Sequence, residues 1–91
     1  MNLTYDPDKR AKTLAERGLD FEDAVQVFAG STVEVLDDRN DYGEERYQTV
    51  GLLNDRLVMI VWTPRDEARH IISMRKCNER EKAKFGRQLG S

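Results

Sequence analysis

The segment that decides the fold is RHIISMRKCNEREKAKF, residues 69–85. Its first seven residues alternate like a β-strand, with odd-numbered side chains on one face and even-numbered ones on the other. A helix-start signal follows, because Asn78 can cap a helix and Glu81 can reach back to the amide of the cap. A basic strand therefore runs almost directly into a basic helix, with Arg75 and Lys76 at the junction. Cations beside a helix N-terminus can hold a phosphate, and they are also an ordinary way to end a small α+β domain.

The composition predicts one small, polar domain spanning residues 1–91. Charged residues make up 35% of the chain and hydrophobic residues 38%, so much of the charge must lie on exposed faces. The longest apolar run, residues 57–62, is too short to span a bilayer, and residues 1–7 lack the features of a signal peptide. We therefore expect a cytoplasmic protein that does not contact a membrane. The single cysteine, Cys77, excludes an internal disulfide.

Charge is distributed unevenly along the chain. Residues 1–45 hold 5 Lys/Arg and 12 Asp/Glu, a balance of −7, whereas residues 46–91 hold 10 and 5, a balance of +5. Such a chain either presents one positive face to a polyanion or interleaves its halves so that the charges cancel. The segment 37–45 alone holds five acids and one arginine. It is predicted to be a solvent-exposed loop, with a mobile flap or a docking site for a basic partner as the alternatives.

Two helices are predicted before the first long strand. One spans residues 7–17, because Asp6 is a suitable cap, Pro7 fits the first helical position and Gly18 ends the pattern. The second spans residues 21–29 and is capped by Asp20. Its buried face is predicted to consist of Phe21, Ala24, Val25 and Phe28, which follow helical spacing.

The strands are predicted to form an antiparallel sheet. They are residues 32–36, 46–53 and 57–62, followed by the strand that begins at Arg69, with a short edge strand at residues 3–5 as a further candidate. Tight turns are predicted at residues 54–55 and 63–66. The strand 57–62 has no polar alternation, so it should be the central one, covered on both faces. The predicted fold class is α+β, with the helices on one side of the sheet: N-terminal helices packed on a small antiparallel sheet of about four strands, followed by a C-terminal helix.

Motifs for several enzyme classes are missing from the sequence. It contains no glycine-rich phosphate loop, no zinc-ligand spacing and no Gly-x-Ser-x-Gly elbow. We therefore predict no cofactor and no metal site. The remaining groups are cations with a few proton-transfer side chains, which are the parts that RNA cleavage without a metal requires.

Five residues are candidates for catalysis and three for contact with RNA. Arginine is suited to a forked grip on phosphate, histidine titrates near neutrality, and a carboxylate can transfer a proton. The catalytic candidates are Arg46, Arg69, His70, Arg75 and Glu81. The RNA-binding candidates are Lys76, Arg80 and Tyr47. His70 also fits a structural role on its strand, Glu81 a capping role, and Tyr47 a place in the core.

Three motifs in order resemble the BrnT-type toxins of bacterial type II toxin–antitoxin systems. The first comprises YDPDK at residues 5–9 and GLDFEDA at 18–24. The second is GEER at residues 43–46, with Gly51 after it. The third and most specific is IISMRK at residues 71–76, followed by Glu81 and the aromatic Phe85.

The chain departs from the family pattern at several of these positions. Thr13 and Arg17 stand where members usually have Asn and His, and Cys77 stands where they usually have Ala. His70 occupies a position that is often Arg, which keeps a donor but loses the fixed charge. Phe85 replaces the usual Tyr, so activity is weakened if that hydroxyl takes part in the chemistry and little changed if the ring only packs.

The resemblance implies a RelE-like fold and a ribonuclease that cleaves mRNA and stops growth. It also implies a cognate antitoxin with a ribbon-helix-helix DNA-binding domain, commonly in a 2:2 complex, so that the toxin reaches operator DNA only through the antitoxin. The rival interpretations are a catalytically weak or inactive toxin-like module that binds an antitoxin or RNA, and an RNA-binding accessory domain. The strand and helix of residues 69–85 are the predicted antitoxin-binding surface, because a partner that blocks the active site must cover them. The alternative is an antitoxin that binds elsewhere and acts by steric hindrance or through the geometry of the dimer.

Overall fold

The sheet has five strands, in the order β1-β5-β4-β3-β2, in a computed structural model that describes residues 2–89. The strands are β1 (Asn2–Tyr5), β2 (Thr32–Leu36), β3 (Tyr47–Leu53), β4 (Arg56–Arg65) and β5 (Ala68–Lys76). β1 is parallel to β5, and all other neighbours are antiparallel. The α+β class and the β3-β4-β5 meander are confirmed, but the sheet is mixed and five-stranded rather than antiparallel with about four strands. The parallel pair arises because helices separate β1 from the meander, and a parallel neighbour requires such a crossover.

The first helix, α1 (Pro7–Arg17), begins and ends where its caps predict. The Asp6 side chain accepts a hydrogen bond from the amide of Asp8, and Pro7 occupies the first turn. At the other end Gly18 adopts a left-handed φ of 68°, and its amide donates to the carbonyl of Leu14. α1 buries none of its own side chains, and Arg10 near its middle forms a two-pronged ion pair with Asp20 that holds it against the following segment.

The second helical segment differs from the predicted single helix. A 3₁₀ turn (Phe21–Asp23) leads into α2 (Ala24–Ala29). Phe21, Ala24 and Val27 are fully buried, whereas Val25 is 56% exposed. Side chains three residues apart lie in line with one another in a 3₁₀ turn. The buried positions of this segment therefore recur every three residues instead of at the predicted helical spacing.

The central strand β4 is covered on both faces, as predicted. Residues 57–63 are all buried. The turn before it has positive φ at Asn54 and Asp55, as a two-residue hairpin turn requires. The predicted turn at residues 63–66 was misplaced, because β4 continues to Arg65 and the positive φ values fall at Asp66 and Glu67.

A bulge in β5 interrupts the predicted alternation. Val61 pairs with Ser73, but the next residue of β4, Trp62, pairs with Ile71, which leaves Ile72 as the extra residue. One extra residue shifts the pleat, so Ile71 and Met74 both reach the same hydrophobic core. Side chains on either side of the bulge therefore do not follow the odd–even rule expected from sequence.

The two faces of the sheet carry separate cores. We call the side with Val58, Ile60 and Trp62 the helical face, because the N-terminal helices cover it. The opposite side, with Leu57 and Met59, is the α3 face, since Phe85 of α3 (Glu79–Gly86) packs there. The prediction that the helices share one side is thus wrong for α3. No helix within residues 2–89 is long and apolar enough to cross a membrane.

Candidate active site

The α3 face is covered at one end by α3 and at the other by the acidic loop that joins β2 to β3. The amide of Asp37 donates to the carbonyl of Arg46 at 2.7 Å, and the hydroxyl of Thr63 donates to the carbonyl of Glu45 at 2.6 Å. The loop is therefore tied to the sheet rather than simply solvated. Half-buried polar side chains such as Gln48 and Ser73 lie on this face between α3 and the acidic loop.

Arg75 and Glu81 form a two-pronged ion pair where β5 meets α3. The Nη1 and Nη2 atoms of Arg75 donate to Oε1 and Oε2 of Glu81 at 2.8 and 2.7 Å. Glu81 also accepts from the amide of Asn78 at 2.9 Å, and its own amide donates to the Asn78 side chain at 2.8 Å, which completes the predicted capping box. The helix start therefore fixes the carboxylate, and the carboxylate fixes the arginine.

The same contacts determine the protonation of Glu81. Its hydrogen bonds with Arg75 lower the pKa of the carboxyl to about 2, against the opposing effect of burial. Glu81 is therefore an anion at neutral pH and orients Arg75 instead of supplying a proton. The Arg75 side chain is 39% exposed, so part of its guanidinium remains accessible to an anion.

His70 lies on the α3 face, nearer the opposite end of β5. It pairs across the sheet with Thr63, and its Nδ1 lies 2.9 Å from the hydroxyl of Thr4 on β1. Burial lowers the pKa of His70 below its ordinary value, and the positive charges of Arg65 and Lys9 act in the same direction. The imidazole is therefore neutral at pH 7. In the tautomer that carries its proton on Nδ1, this N–H donates to Thr4 and leaves Nε2 as an acceptor.

Arg46 is held at the end of the acidic loop. Its guanidinium carbon lies 3.9 Å from the centre of the Tyr42 ring, and its Nε donates to Glu44 at 3.3 Å. Glu44 also accepts from Arg65 at 3.4 Å. One carboxylate thus bridges two arginines, and its negative charge also acts on nearby His70.

The predicted residues on this face fall into two groups. Thr63 and Met59, the β4 partners of His70 and Arg75, are four positions apart, which in extended chain is roughly 13 Å. The His70 group contains Arg46 and the Arg75 group contains Glu81, so the two groups lie towards different ends of this face. Arg39 belongs to the same surface, because its positive charge acts on Arg75, and a two-pronged pair with the buried carboxylate of Asp37 holds it at 2.8 Å.

Two predicted residues lie on the helical face instead. The guanidinium of Arg69 lies 4.0 Å from the centre of the Phe28 ring and 5.1 Å from that of Trp62. Tyr47 stacks on Trp62 with ring centres 5.0 Å apart. The structure therefore does not bring Arg69 and Tyr47 together with Arg75.

The last two predicted residues are also apart from this group. Lys76 pairs with Val58 and so leaves β5 on the helical face, while Arg80 is exposed on α3. The sequence reasoning missed Arg39 and Arg65. The only signal for Arg39 was its position as the single arginine in an acidic loop, and Arg65 was hidden in the misplaced turn.

Chemically, the α3 face combines fixed cations with one neutral imidazole. Within residues 2–89, no three His, Cys, Asp or Glu side chains lie together as a metal site would require. Cys77 is buried, and burial raises the pKa of its thiol to about 11, so it is no nucleophile at neutral pH. The face can therefore bind phosphates and accept a proton.

Comparison with known proteins identifies the family. Residues 5–81 match the family described as "Ribonuclease toxin, BrnT, of type II toxin-antitoxin system". This segment includes all five catalytic candidates, whereas Phe85 lies beyond it. A search of curated proteins found no match. Because the matched segment is most of the chain, the chain belongs to the BrnT family of ribonuclease toxins of type II toxin–antitoxin systems.

Proposed function

We propose that the chain is an endoribonuclease that needs no metal ion and that stops translation and growth by cleaving mRNA. The observation that carries the proposal is the α3 face, where oriented arginines and a neutral histidine share one surface. Such a set is what internal attack by a ribose 2′-hydroxyl requires: a proton acceptor and fixed positive charge at the phosphate.

The separation along β5 suggests a division of roles. At one end, Nε2 of His70 accepts the proton of the 2′-hydroxyl as the 2′-oxygen bonds to phosphorus, and Arg46 stabilises the charge that develops on the attacked phosphate. The P–O5′ bond then breaks, which leaves a 2′,3′-cyclic phosphate on one fragment and a 5′-hydroxyl on the other, whose oxygen takes its proton from water. At the other end, Arg75 binds a neighbouring phosphate of the same strand and Glu81 keeps it oriented. Arg69 is assigned a packing role on the helical face, because its guanidinium lies over Phe28.

The partner proposed for this face is a cognate antitoxin. A ribbon-helix-helix antitoxin in a 2:2 complex would cover β5 and α3 and bind operator DNA through its own domain. An inhibitor on this surface would neutralise the ribonuclease directly, since the proposed groups lie there. The site of action is then the cytoplasm, where mRNA and ribosomes are found.

The proposal is tested by expression without the antitoxin, together with cleavage of a purified mRNA in the presence of EDTA. The wild type should arrest growth and cleave RNA, and His70→Gln and Arg75→Ala should do neither efficiently. Arg87→Ala removes an exposed arginine at the end of α3 and serves as the control. Intact RNA with the folded wild type, or full cleavage by both active-site variants, contradicts the proposal.

A second candidate function rests on Phe85. Its ring is buried against Leu57 and Met59, and no hydroxyl is present at this position. A module that binds the antitoxin without cleaving RNA fits this departure from the family pattern. Phe85→Tyr separates the two, because a gain of cleavage from an inactive wild type favours the binding module, and an active wild type excludes it.

A further inference from the structure

We infer that the chain holds the RNA backbone in a second place, a cationic groove that runs beside the α3 face and reaches it at Leu57. This inference rests on the proposed function and adds a binding track to it. Three neighbouring clefts form the groove, with volumes of about 570, 360 and 230 Å³. The first two share Arg56 and Lys76, and the second and third share Arg17, so the clefts are adjacent to one another.

The groove gathers positive charge from separate parts of the chain. Three carboxylates line it: Glu16, Asp23 and Asp55. Twice as many cations do so: Lys9, Lys12, Arg17, Arg56, Lys76 and Lys82. They come from α1, the start of β4, the end of β5 and α3. Tertiary structure therefore creates this surface from both the acidic and the basic halves of the sequence.

Most of these cations have no carboxylate partner. Among residues 2–89, only Lys82 of the six is in an ion pair, with Glu79 at 3.1 Å. Outside the groove, five of the nine other cations in the described part of the chain are paired with a carboxylate: Arg10, Arg39, Arg46, Arg65 and Arg75. The groove therefore carries charge that the fold does not neutralise, which is the electrostatic footprint of a polyanion site.

One cation is oriented by the backbone. The Nη1 atom of Arg17 donates to the carbonyl of Met74 at 2.9 Å. This bond places the guanidinium where two of the clefts meet and leaves its other N–H groups available. Arg17 is thus held in place for a phosphate at the middle of the groove.

The lining favours a nucleic-acid backbone as the occupant. Within residues 2–89, no aromatic residue lines any of the three clefts, so bases have no stacking platform there and contact would be with phosphates, independent of sequence. The groove also adjoins the α3 face: Lys76 follows Arg75 directly, and Ser73 of the third cleft pairs with Val61 of that face. An RNA strand on the α3 face can therefore continue into the groove.

The test measures binding of a fluorescent, single-stranded 2′-O-methyl RNA, which cannot be cleaved because its nucleophile is blocked. Anisotropy titrations between about 50 and 200 mM salt compare the wild type with the double variant Arg56→Gln/Lys76→Gln. The matched control, Lys84→Gln/Arg87→Gln, removes the same charge from α3 outside the clefts. Cleavage of ordinary RNA is measured in parallel.

Loss of two phosphate contacts should reduce the slope of log affinity against log salt by about 1.4, since each contact contributes about 0.7 for a single strand. The wild type should therefore lose about sevenfold more affinity than the groove variant over this salt range. The control should keep the wild-type slope.

Equal slopes for the two double variants overturn the inference. It is also overturned if a Glu-rich peptide binds the wild type more tightly than RNA and loses binding with the groove substitutions, because the occupant is then an acidic protein. The inference and the proposed function fail separately. RNA cleavage with unchanged slopes removes the groove only, whereas groove-dependent binding without cleavage removes the ribonuclease only.

Discussion

Replacing Glu81 by glutamine tests how far the Arg75–Glu81 pair stabilises the fold. Glutamine can still accept from the amide of Asn78, so the capping box is retained and only the charge is lost. The pKa of Glu81 falls from its ordinary 4.5 to about 2, and each unit corresponds to about 1.4 kcal/mol, which sets an upper limit of about 3.4 kcal/mol. Because Arg75 is partly exposed, solvent screening reduces the expected loss to roughly 2 kcal/mol.

The pH dependence distinguishes this pair from simple packing. A carboxyl whose pKa is lowered by folding contributes its full stabilisation above the unfolded pKa of 4.5 and loses it as the pH falls towards 2. Wild type and Glu81→Gln should therefore differ fully at pH 7, by less than half as much at pH 3, and scarcely at pH 2.

Urea unfolding at these pH values, followed by the fluorescence of Trp62, measures the difference. Glu79→Gln is the control, because Glu79 is 91% exposed and its pairing with Lys82 should contribute little. A loss of stability in Glu81→Gln that is the same at pH 7 and pH 3 would refute the electrostatic account. So would equal losses in the two variants.

Three further predictions concern the site and the core. Arg75→Lys keeps the charge but loses the forked guanidinium, so we expect KM for RNA to rise about tenfold with kcat nearly unchanged in steady-state kinetics. A fall in kcat with KM nearly unchanged would instead show that Arg75 acts in the chemical step. His70→Gln should lower kcat for RNA cleavage at least about 100-fold. The cleavage rate of the wild type should rise with pH through a pKa below 6.5 and then level off. A cleavage rate that does not change with pH would exclude His70 as the base. Gly51→Ala should lower the free energy of unfolding, measured in urea, by about 1–3 kcal/mol, because the new Cβ would lie 2.7 Å from Cγ1 of Val27. The control Gly30→Ala should be tolerated, since the nearest contact of its new Cβ is at 3.7 Å. Equal stabilities of the two variants would show that Val27 can move aside.

Signals that act within a few residues were read correctly from the sequence. The Asp6 cap, the left-handed Gly18 and the capping box of Asn78 and Glu81 all appear where they were predicted. Each depends on hydrogen bonds between neighbours along the chain, so the local sequence is sufficient. The buried run at residues 57–62 was equally clear, since a strand covered on both faces shows no alternation of polar and apolar residues.

Features that depend on pairing between distant segments were missed. The bulge at Ile72 and the 3₁₀ turn before α2 both result from how these segments pack against the rest of the sheet and the core. No local sequence pattern predicts either feature. The grouping of the candidate site residues depends on the same long-range pairing. The prediction grouped Arg69 with Arg75, whereas the structure places Arg69 over Phe28 on the helical face.

By itself, the sequence determined the chemical inventory, the helix caps and, through its three ordered motifs, the family. It did not determine which charges act together. Residues 1–45 are acidic overall, yet Lys9, Lys12 and Arg17 from that half lie in the groove with Arg56 and Lys76. Only the tertiary structure decided this, because charges interact over a few ångströms of space, and the fold brings together residues that are far apart in the chain.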